Sequence, residues 1–316
     1  MNCTCCGKPL KSNHDQGWHN SCIKRFFNTS VFPTIEIDET ALRELANDGT
    51  RKGLTVPGVQ KKLSLNLIHE RKKQPRLTLI NYPTGYILKP QVQEYECLPE
   101  SEFLIMKMAE LSGISTVPHG LIKSKNQFAY ITKRVDRIMD KKGVQKLAME
   151  DFCQLDQRLT EDKYRGSYER CAKIISKYSN QSGLDLAELF LRIVFSYVIG
   201  NSDMHLKNFS LIETQEGSQR YVLSPAYDML PVNVILPQDN EEVALTLNGK
   251  KTNLRKNDFY SFANHCGLSM IVADRLIKKI VSLKETYIHM CQESFLSQDF
   301  KLSLIELINT RLTLLQ

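Results

Sequence analysis

Apolar positions follow two rhythms along the chain. From about residue 35 to 134 they mostly alternate with polar ones. Leu63-Ser64-Leu65-Asn66-Leu67 steps apolar to polar as a strand with one buried face requires, and Tyr86-Ile87-Leu88-Lys89 follows the turn signal Pro83-Thr84-Gly85 and stops at Pro90. Gly120-Leu121-Ile122-Lys123 and Phe128-Ala129-Tyr130-Ile131 predict two more strands, joined by a turn at Lys125-Asn126. One helix interrupts them: Leu98 to Leu111 carries Phe103, Met106 and Leu111 among charges, admits Pro99 in its first turn and is bounded by Gly113.

Beyond Asp136 the period becomes helical, with runs near residues 148–156, 167–179, 185–199, 257–265, 268–290 and 300–315. Phe209 to Ile212 and Tyr221 to Leu223 predict two short strands, and Val243 to Leu247 another. The pattern therefore divides the chain into a cysteine-rich segment 1–30, a strand-rich lobe 31–135 and a helical lobe 136–316. No internal repeat or low-complexity linker is present.

Composition narrows the class. With 316 residues, 42% of them hydrophobic and 24% charged, the chain can bury the core of a two-lobed or three-lobed globular protein. The longest apolar stretch, Leu184 to Ile199, is broken by Asp185, Glu188 and Arg192, which predicts a buried helix and not a membrane span. The start Met-Asn-Cys-Thr-Cys-Cys lacks a basic lead and apolar run, so a reducing cytoplasm is the expected compartment, with export to another cell by a non-Sec system left open. The net charge of +7 is spread out; Arg71-Lys72-Lys73 and Lys141-Lys142 read as solvated loop tips. Such a balance suits an acidic or tRNA-bound partner without choosing between them.

Residues 1–30 hold four of the nine cysteines, two of the seven histidines and the single Trp. Cys3-x-x-Cys6 is followed, after twelve intervening residues, by His19-x-x-Cys22. Paired two-residue gaps let two knuckles close a tetrahedral zinc site, and four protein ligands argue for a structural role. The bland alternative is a cluster of unligated thiols. Cys5 falls outside the spacing, and Cys97, Cys153, Cys171, Cys266 and Cys291 read as small buried apolar residues.

The densest chemistry lies at Gly200-Asn201-Ser202-Asp203-Met204-His205-Leu206-Lys207-Asn208, answered by Asp228. Phosphoryl-transfer enzymes use an Asp to accept the proton of the attacking hydroxyl, an Asn five residues later as a magnesium ligand, and a later Asp as the second ligand. Asp203, Asn208 and Asp228 have that order. By themselves an Asp and an Asn after a helix are ordinary capping and turn residues. Two further parts stand upstream in the right order. Lys89 ends a strand, where it can reach nucleotide phosphates if Glu102, in the first turns of the next helix, holds it. Gly53-Leu54-Thr55-Val56-Pro57-Gly58 offers backbone amides to cover phosphates, although it is not G-x-G-x-x-G. His205 replaces the lysine that eukaryotic kinases place two residues after the base, which puts it near the γ-phosphate or the substrate hydroxyl; a loop histidine bonded to a backbone carbonyl is the alternative. No G-x-S-x-G occurs, which removes the usual serine hydrolase reading.

Several segments together carry a family resemblance. They are Gly58-Val59-Gln60-Lys61-Lys62, Ile87-Leu88-Lys89-Pro90, Glu102, Lys133-Arg134-Val135-Asp136-Arg137, Glu150-Asp151-Phe152-Cys153-Gln154, Gly200 to Phe209, and Ser224-Pro225-Ala226-Tyr227-Asp228. Over most of residues 50–316 this set resembles the HipA family of bacterial serine/threonine kinase toxins. The resemblance implies an α+β, two-lobed protein-kinase-like fold, with a small β-rich N-lobe and a mostly helical C-lobe, acting on ATP and magnesium. Asp203 would be the catalytic base, Asn208 and Asp228 the magnesium ligands, and Lys89 a phosphate ligand paired with Glu102. Thr55, Val56, Pro57 and Gly58 would cover the nucleotide, the backbone of Lys133 and Val135 would meet adenine, and Asp136 and His205 would line the pocket.

Only about fifty residues precede the nucleotide loop, which resembles the short HipT form of HipBST-like toxin–antitoxin systems. This implies a HipS-like antitoxin and a HipB-like DNA-binding protein as partners, with no direct nucleic-acid contact and no membrane. Relatives phosphorylate aminoacyl-tRNA synthetases, so a protein of that kind is the implied substrate. The family's Ser-x-x-Ser-like autophosphorylation motif corresponds here to Thr55 and Pro57, leaving Thr55 as the acceptor; phosphate there would repel the phosphates of ATP. Two rival classes remain, a nucleotide-binding pseudokinase, which turnover would exclude, and a zinc-dependent nucleic-acid binder, which steep salt dependence would reveal.

Overall fold

Burial of alternate side chains sets the first strands, and the computed structural model, which describes residues 2–11, 17–36, 62–68, 73–78, 85–124, 127–140 and 143–316, places them in one mixed sheet. A helix α1 (Asn20–Phe27) precedes strands β1 (Thr34–Glu36), β2 (Leu63–Ile68), β3 (Arg76–Thr78) and β4 (Tyr86–Pro90). Helix α2 (Leu98–Leu111) follows, then β5 (His119–Ser124) and β6 (Gln127–Lys133). The sheet order is β1-β3-β2-β4-β6-β5, antiparallel except for the β1–β3 pair. Leu63 and Leu65 are buried while Ser64 between them is exposed, the alternation expected of β2. The turn at Lys125-Asn126 and the loop holding Thr55, Val56, Pro57 and Gly58 lie outside the described residues.

By their contacts the residues fall into two units, Met1–Phe103 with Val117–Val144, and Leu104–Thr116 with Gln145–Gln316. In the first, the cysteine-rich segment is not a free-standing appendage. Cys3, Cys5, Trp18, Cys22, Ile23, Phe26 and Phe27 share one hydrophobic core with Leu63, Leu65, Leu77, Tyr86, Leu88, Ile122, Ala129 and Ile131 of the sheet. Since β5 is an edge strand, its outer backbone groups need partners. Leu121 finds two: its N–H donates to the Thr4 carbonyl at 2.7 Å and its carbonyl accepts from Trp18 Nε1 at 2.8 Å.

The chain continues through a ribbon of β7 (Arg137–Asp140) and β8 (Gly143–Lys146) to β9 (Met149–Asp151), α3 (Phe152–Leu155), α4 (Tyr168–Tyr178) and α5 (Ser182–Ile199). Then come β10 (Ser210–Glu213), β11 (Tyr221–Leu223), α6 (Val232–Ile235), α7 (Lys256–His265), α8 (Met270–Ser282), α9 (Lys284–Gln292) and α10 (Gln298–Thr313). Helix α5 is buried without interruption from Leu189 to Ile199 and packs against α4, α8 and α10, so it is the axis of the second unit. Its buried Arg192 is tied to Glu188 at 2.9 Å and to the Ser224 carbonyl at 2.8 Å.

Three predicted elements differ. The run 148–156 is strand β9 followed by one helical turn, because Asp151 makes a capping box with Gln154 and starts α3 there. The run 268–290 is two helices that break at Leu283. Val243 to Leu247 is not a strand; Thr246 and Leu247 make only isolated bridges, to Ser167 and Lys250. Of the scattered cysteines, Cys153, Cys171 and Cys291 are buried as expected, whereas Cys97 and Cys266 are half-buried.

Candidate active site

Lys89 owes its position to strand pairing. It sits opposite Tyr130 in the β4–β6 register, with its ammonium 5.3 Å from the centre of the Tyr130 ring. Its Nζ lies 2.5 Å from Glu102 Oε1, and both side chains are almost wholly buried, at 2% and 0% exposure. Buried charges persist only when paired, and this pair holds the lysine at one place on the sheet. At the end of β6, Lys133 donates its backbone N–H to the Pro118 carbonyl at 2.9 Å, and burial lowers the pKa of its ammonium. Val135 is half-buried in the following turn. Asp136 is gripped by Arg134, through Nε at 3.1 Å and Nη2 at 3.0 Å, and by Arg137. Burial alone would raise its pKa, but the hydrogen bond and charge of Arg134, with the charge of Arg137, hold it below the ordinary carboxylate value.

In the second unit the loop that carries Asp203 starts at a helix end. Gly200 closes α5 in the left-handed region, φ 73°, and a Cβ there would stand 2.4 Å from Leu307 Cδ2, so glycine meets both a conformational and a steric demand. Arg311 donates to the Tyr197 carbonyl in the last turn of α5 and, at 2.7 Å, to Asn233 Oδ1. Beyond Gly200, Asn201 Oδ1 accepts from the N–H of Asp203 at 3.2 Å and Asn208 Nδ2 donates to the Asp203 carbonyl at 2.8 Å. That second bond closes the Asp-x-x-x-x-Asn segment on itself and occupies the amide nitrogen of Asn208, leaving its oxygen as the atom that could meet a cation. His205 is buried, with its ring edge-on to Tyr164 at 5.0 Å.

The β10–β11 hairpin then relates Asn208 to Asp228. Asn208 precedes β10, Asp228 follows β11, and Ser224 N–H bonds the Ser210 carbonyl at 2.8 Å across the pair. Tyr227 completes the link, its hydroxyl 2.6 Å from Ser210 Oγ and 3.2 Å from the Lys207 carbonyl to which it donates. The residues immediately before Asn208 and Asp228 are thus tied together. Asp228 has φ 57°, a left-handed conformation that costs most non-glycine residues on the order of 1 kcal/mol and that Asp adopts more readily than most. An Asn oxygen and a carboxylate are the hard oxygen donors that magnesium takes.

Sequence reasoning missed three supports of this loop. Tyr164 donates to Asp203 Oδ1 at 2.5 Å, and burial together with the Asp203 charge pushes the phenol pKa well up. Lys207 Nζ reaches Asp151 Oδ2 at 2.7 Å, and Ser202 Oγ donates to Asp239 Oδ2 at 2.6 Å. No motif marks Tyr164. Asp151 and Lys207 lie inside the quoted segments, but spacing along the chain does not reveal that they meet.

The N-terminal cluster assembles as its spacing predicts. The ligand atoms of Cys3, Cys6, His19 and Cys22 lie within 4.8 Å of one another, a set that could hold a metal ion. Cys3 and Cys22 sulfurs are 3.9 Å apart, and His19 Nδ1 stands 3.4 Å from Cys6 Sγ. The other ring nitrogen, Nε2, pairs with the Pro9 carbonyl at 3.1 Å, which directs Nδ1 into the cluster. Burial raises the Cys3 thiol pKa, but hydrogen bonds from the backbone of Cys6, Cys5 and His19 outweigh it and bring it to about 7; burial and the neighbouring sulfurs push Cys22 up.

Residues 54–287 match the family model described as HipA-like C-terminal domain. The chain is 26% identical to a Haemophilus influenzae protein named "Putative kinase", covering 98% of this chain and 95% of that one. A Sinorhizobium fredii protein, "Putative kinase Y4dM", is 32% identical over 73% of this chain and 58% of its own length, so the chain spans little more than half of that relative. Among solved structures, HipA of Shewanella oneidensis, determined with HipB and its operator DNA, is similar in fold at TM-score 0.71 and 19% identity, covering 87% of this chain and 70% of that one. The Helicobacter pylori proinflammatory kinase CtkA is similar at TM-score 0.53 and 14% identity, covering 83% and 91%.

Proposed function

Since the chain belongs to the HipA-like C-terminal domain family, we propose that it is a serine/threonine protein kinase acting on Mg-ATP. The observation that carries this reading is the closed Asp203–Asn208 segment, linked through Tyr227 to Asp228. Asp203 orients the attacking hydroxyl and takes its proton as that oxygen bonds to the γ-phosphorus and the bond to the β-phosphate oxygen breaks, releasing ADP. Asn208 and Asp228 hold magnesium, which when bound neutralises charge developing on the phosphates. Lys89, held by Glu102, binds phosphate oxygens. Thr55, Val56, Pro57 and Gly58 cover the nucleotide, and Val135 with the carbonyl of Lys133 meets adenine, the Lys133 N–H being taken by Pro118. Asp136 of the first unit and His205 of the second are further residues we propose for nucleotide binding.

The biological setting we propose is a toxin–antitoxin system of the HipBST kind, with HipS-like and HipB-like partners, an aminoacyl-tRNA synthetase as substrate, and Thr55 as the site of self-modification. The Shewanella neighbour in complex with HipB and DNA supports that setting. Incubation of the purified protein with Mg-ATP, read by intact mass and peptide mapping beside Asp203→Ala, tests the enzyme. A phosphate gained by the wild type and absent from the variant, with ATP binding retained in both, is the expected result. Full transfer by Asp203→Ala would remove Asp203 as the base, and failure of the wild type on every protein substrate would leave a pseudokinase.

A further inference from the structure

The described residues between 2 and 27 include one helix of eight residues, too short to be stable alone, yet they cover a sheet edge and close a core. Something must fix their backbone. We infer that Cys3, Cys6, His19 and Cys22 bind one zinc ion, and that this ion is the clasp holding the segment against the sheet that carries Lys89. Three sulfurs and one imidazole nitrogen form the closed donor set of structural zinc. The 3.9 Å between Cys3 and Cys22 sulfurs is close to the edge of a zinc–thiolate tetrahedron, roughly 3.8 Å for bonds of about 2.3 Å.

The ligands alternate with the contacts that grip the sheet. Thr4, next to Cys3, accepts from Leu121 N–H, and Trp18, next to His19, donates to the Leu121 carbonyl. Gly120 leaves room for the indole, since a Cβ there would fall 2.5 Å from Trp18 Cζ2. Three residues after Cys22 comes Arg25, then Phe26 and Phe27, whose rings lie 5.7 and 5.5 Å from that of Tyr86. Tyr86 donates to the Phe26 carbonyl at 3.3 Å and stands three residues before Lys89 on β4. Fixing four ligands in one tetrahedron therefore fixes both the edge contact at β5 and the aromatic contact at β4.

Trp18 is the only tryptophan in the chain and is fully buried, so its emission reports this junction directly. The experiment uses full-length protein and no phosphotransfer readout. Metal analysis should find one zinc per chain, and cobalt substitution should produce thiolate-to-cobalt charge-transfer bands that persist in Cys5→Ser and are lost or altered in Cys22→Ser. Stripping zinc from the wild type with 1,10-phenanthroline should shift Trp18 emission to longer wavelength and speed amide exchange at Leu121 and across β4 to β6 by about tenfold or more, with reversal on adding zinc back. Absence of stoichiometric metal, or a metal-free protein that keeps its emission and exchange protection, would overturn the inference. If Cys22→Ser fails to fold, the chelation arm on the wild type decides.

Discussion

The Tyr164 hydroxyl donates to Asp203 Oδ1 at 2.5 Å, so the side chain assigned as the base is held by a residue from a different part of the second unit. Restricting the rotation of a carboxylate keeps it aimed at one place, which is the kind of pre-positioning that lowers a transfer barrier. Tyr164→Phe should lower the transfer rate roughly tenfold, equivalent to about 1.4 kcal/mol, while leaving the KM for ATP unchanged. Steady-state kinetics with both parameters resolved checks this; a raised KM with unchanged kcat would mean that Tyr164 supports binding instead.

Lys89 and Glu102 stabilise each other in a site with almost no solvent access. Glu102→Ala leaves a buried ammonium without its carboxylate and should cost about 3–5 kcal/mol in urea unfolding. The double variant Lys89→Met, Glu102→Leu should recover most of that loss, because an apolar pair of similar volume suits the buried position, yet it should not recover affinity for Mg-ATP. Recovery of both would show that Lys89 has no part in nucleotide binding.

Gly120 faces the indole of Trp18, and the Thr4 carbonyl lies 3.2 Å from where a Cβ would stand. Neither the backbone oxygen nor a fully buried ring yields easily. Gly120→Ala should destabilise the protein by about 1–3 kcal/mol and shift tryptophan emission. Thermal unfolding followed by that emission would measure both effects together.

Asp136 contributes to the acid limb of stability. Its folded pKa lies below the ordinary value of 3.8, so its contribution is fully present above that pH and is lost as pH falls through the folded pKa. Asp136→Asn should therefore be less stable than wild type at pH 7, and the gap should narrow near pH 3. Asp258 and Asp274, whose pKa values are also depressed, keep an acid limb in the variant. Urea midpoints for both proteins at the two pH values test this; a gap that does not change with pH would mean that the grip of Arg134 and Arg137 on the carboxylate is not what stabilises the fold.

Much of the site could be read from the sequence because it is encoded over short spans. The alternation of Leu63 to Leu67 places a strand, the gaps Cys3-x-x-Cys6 and His19-x-x-Cys22 place two halves of a ligand set, and Asp203 and Asn208 are joined by a hydrogen bond five residues apart. Local geometry settles such features, since neighbouring residues on one turn or strand have few ways to point. Where local signals competed, reading failed: the apolar period at 148–156 suggested a helix, but pairing with β10 took Met149 to Asp151 into a sheet.

Tertiary structure alone decided which distant residues meet. Tyr164 and Asp203 are 39 residues apart, Lys207 and Asp151 56, and Trp18 and Leu121 103. Each of these bonds depends on strand order, register and helix packing together, and many chain paths would satisfy the same composition and spacing. The sequence by itself marked the Cys3-Cys6-His19-Cys22 set, the Asp203–Asn208 segment and most of the strands of the first unit. Packing of side chains distant along the chain determined what holds each of them in place, because the free energy of those contacts exists only once the whole core has closed around them.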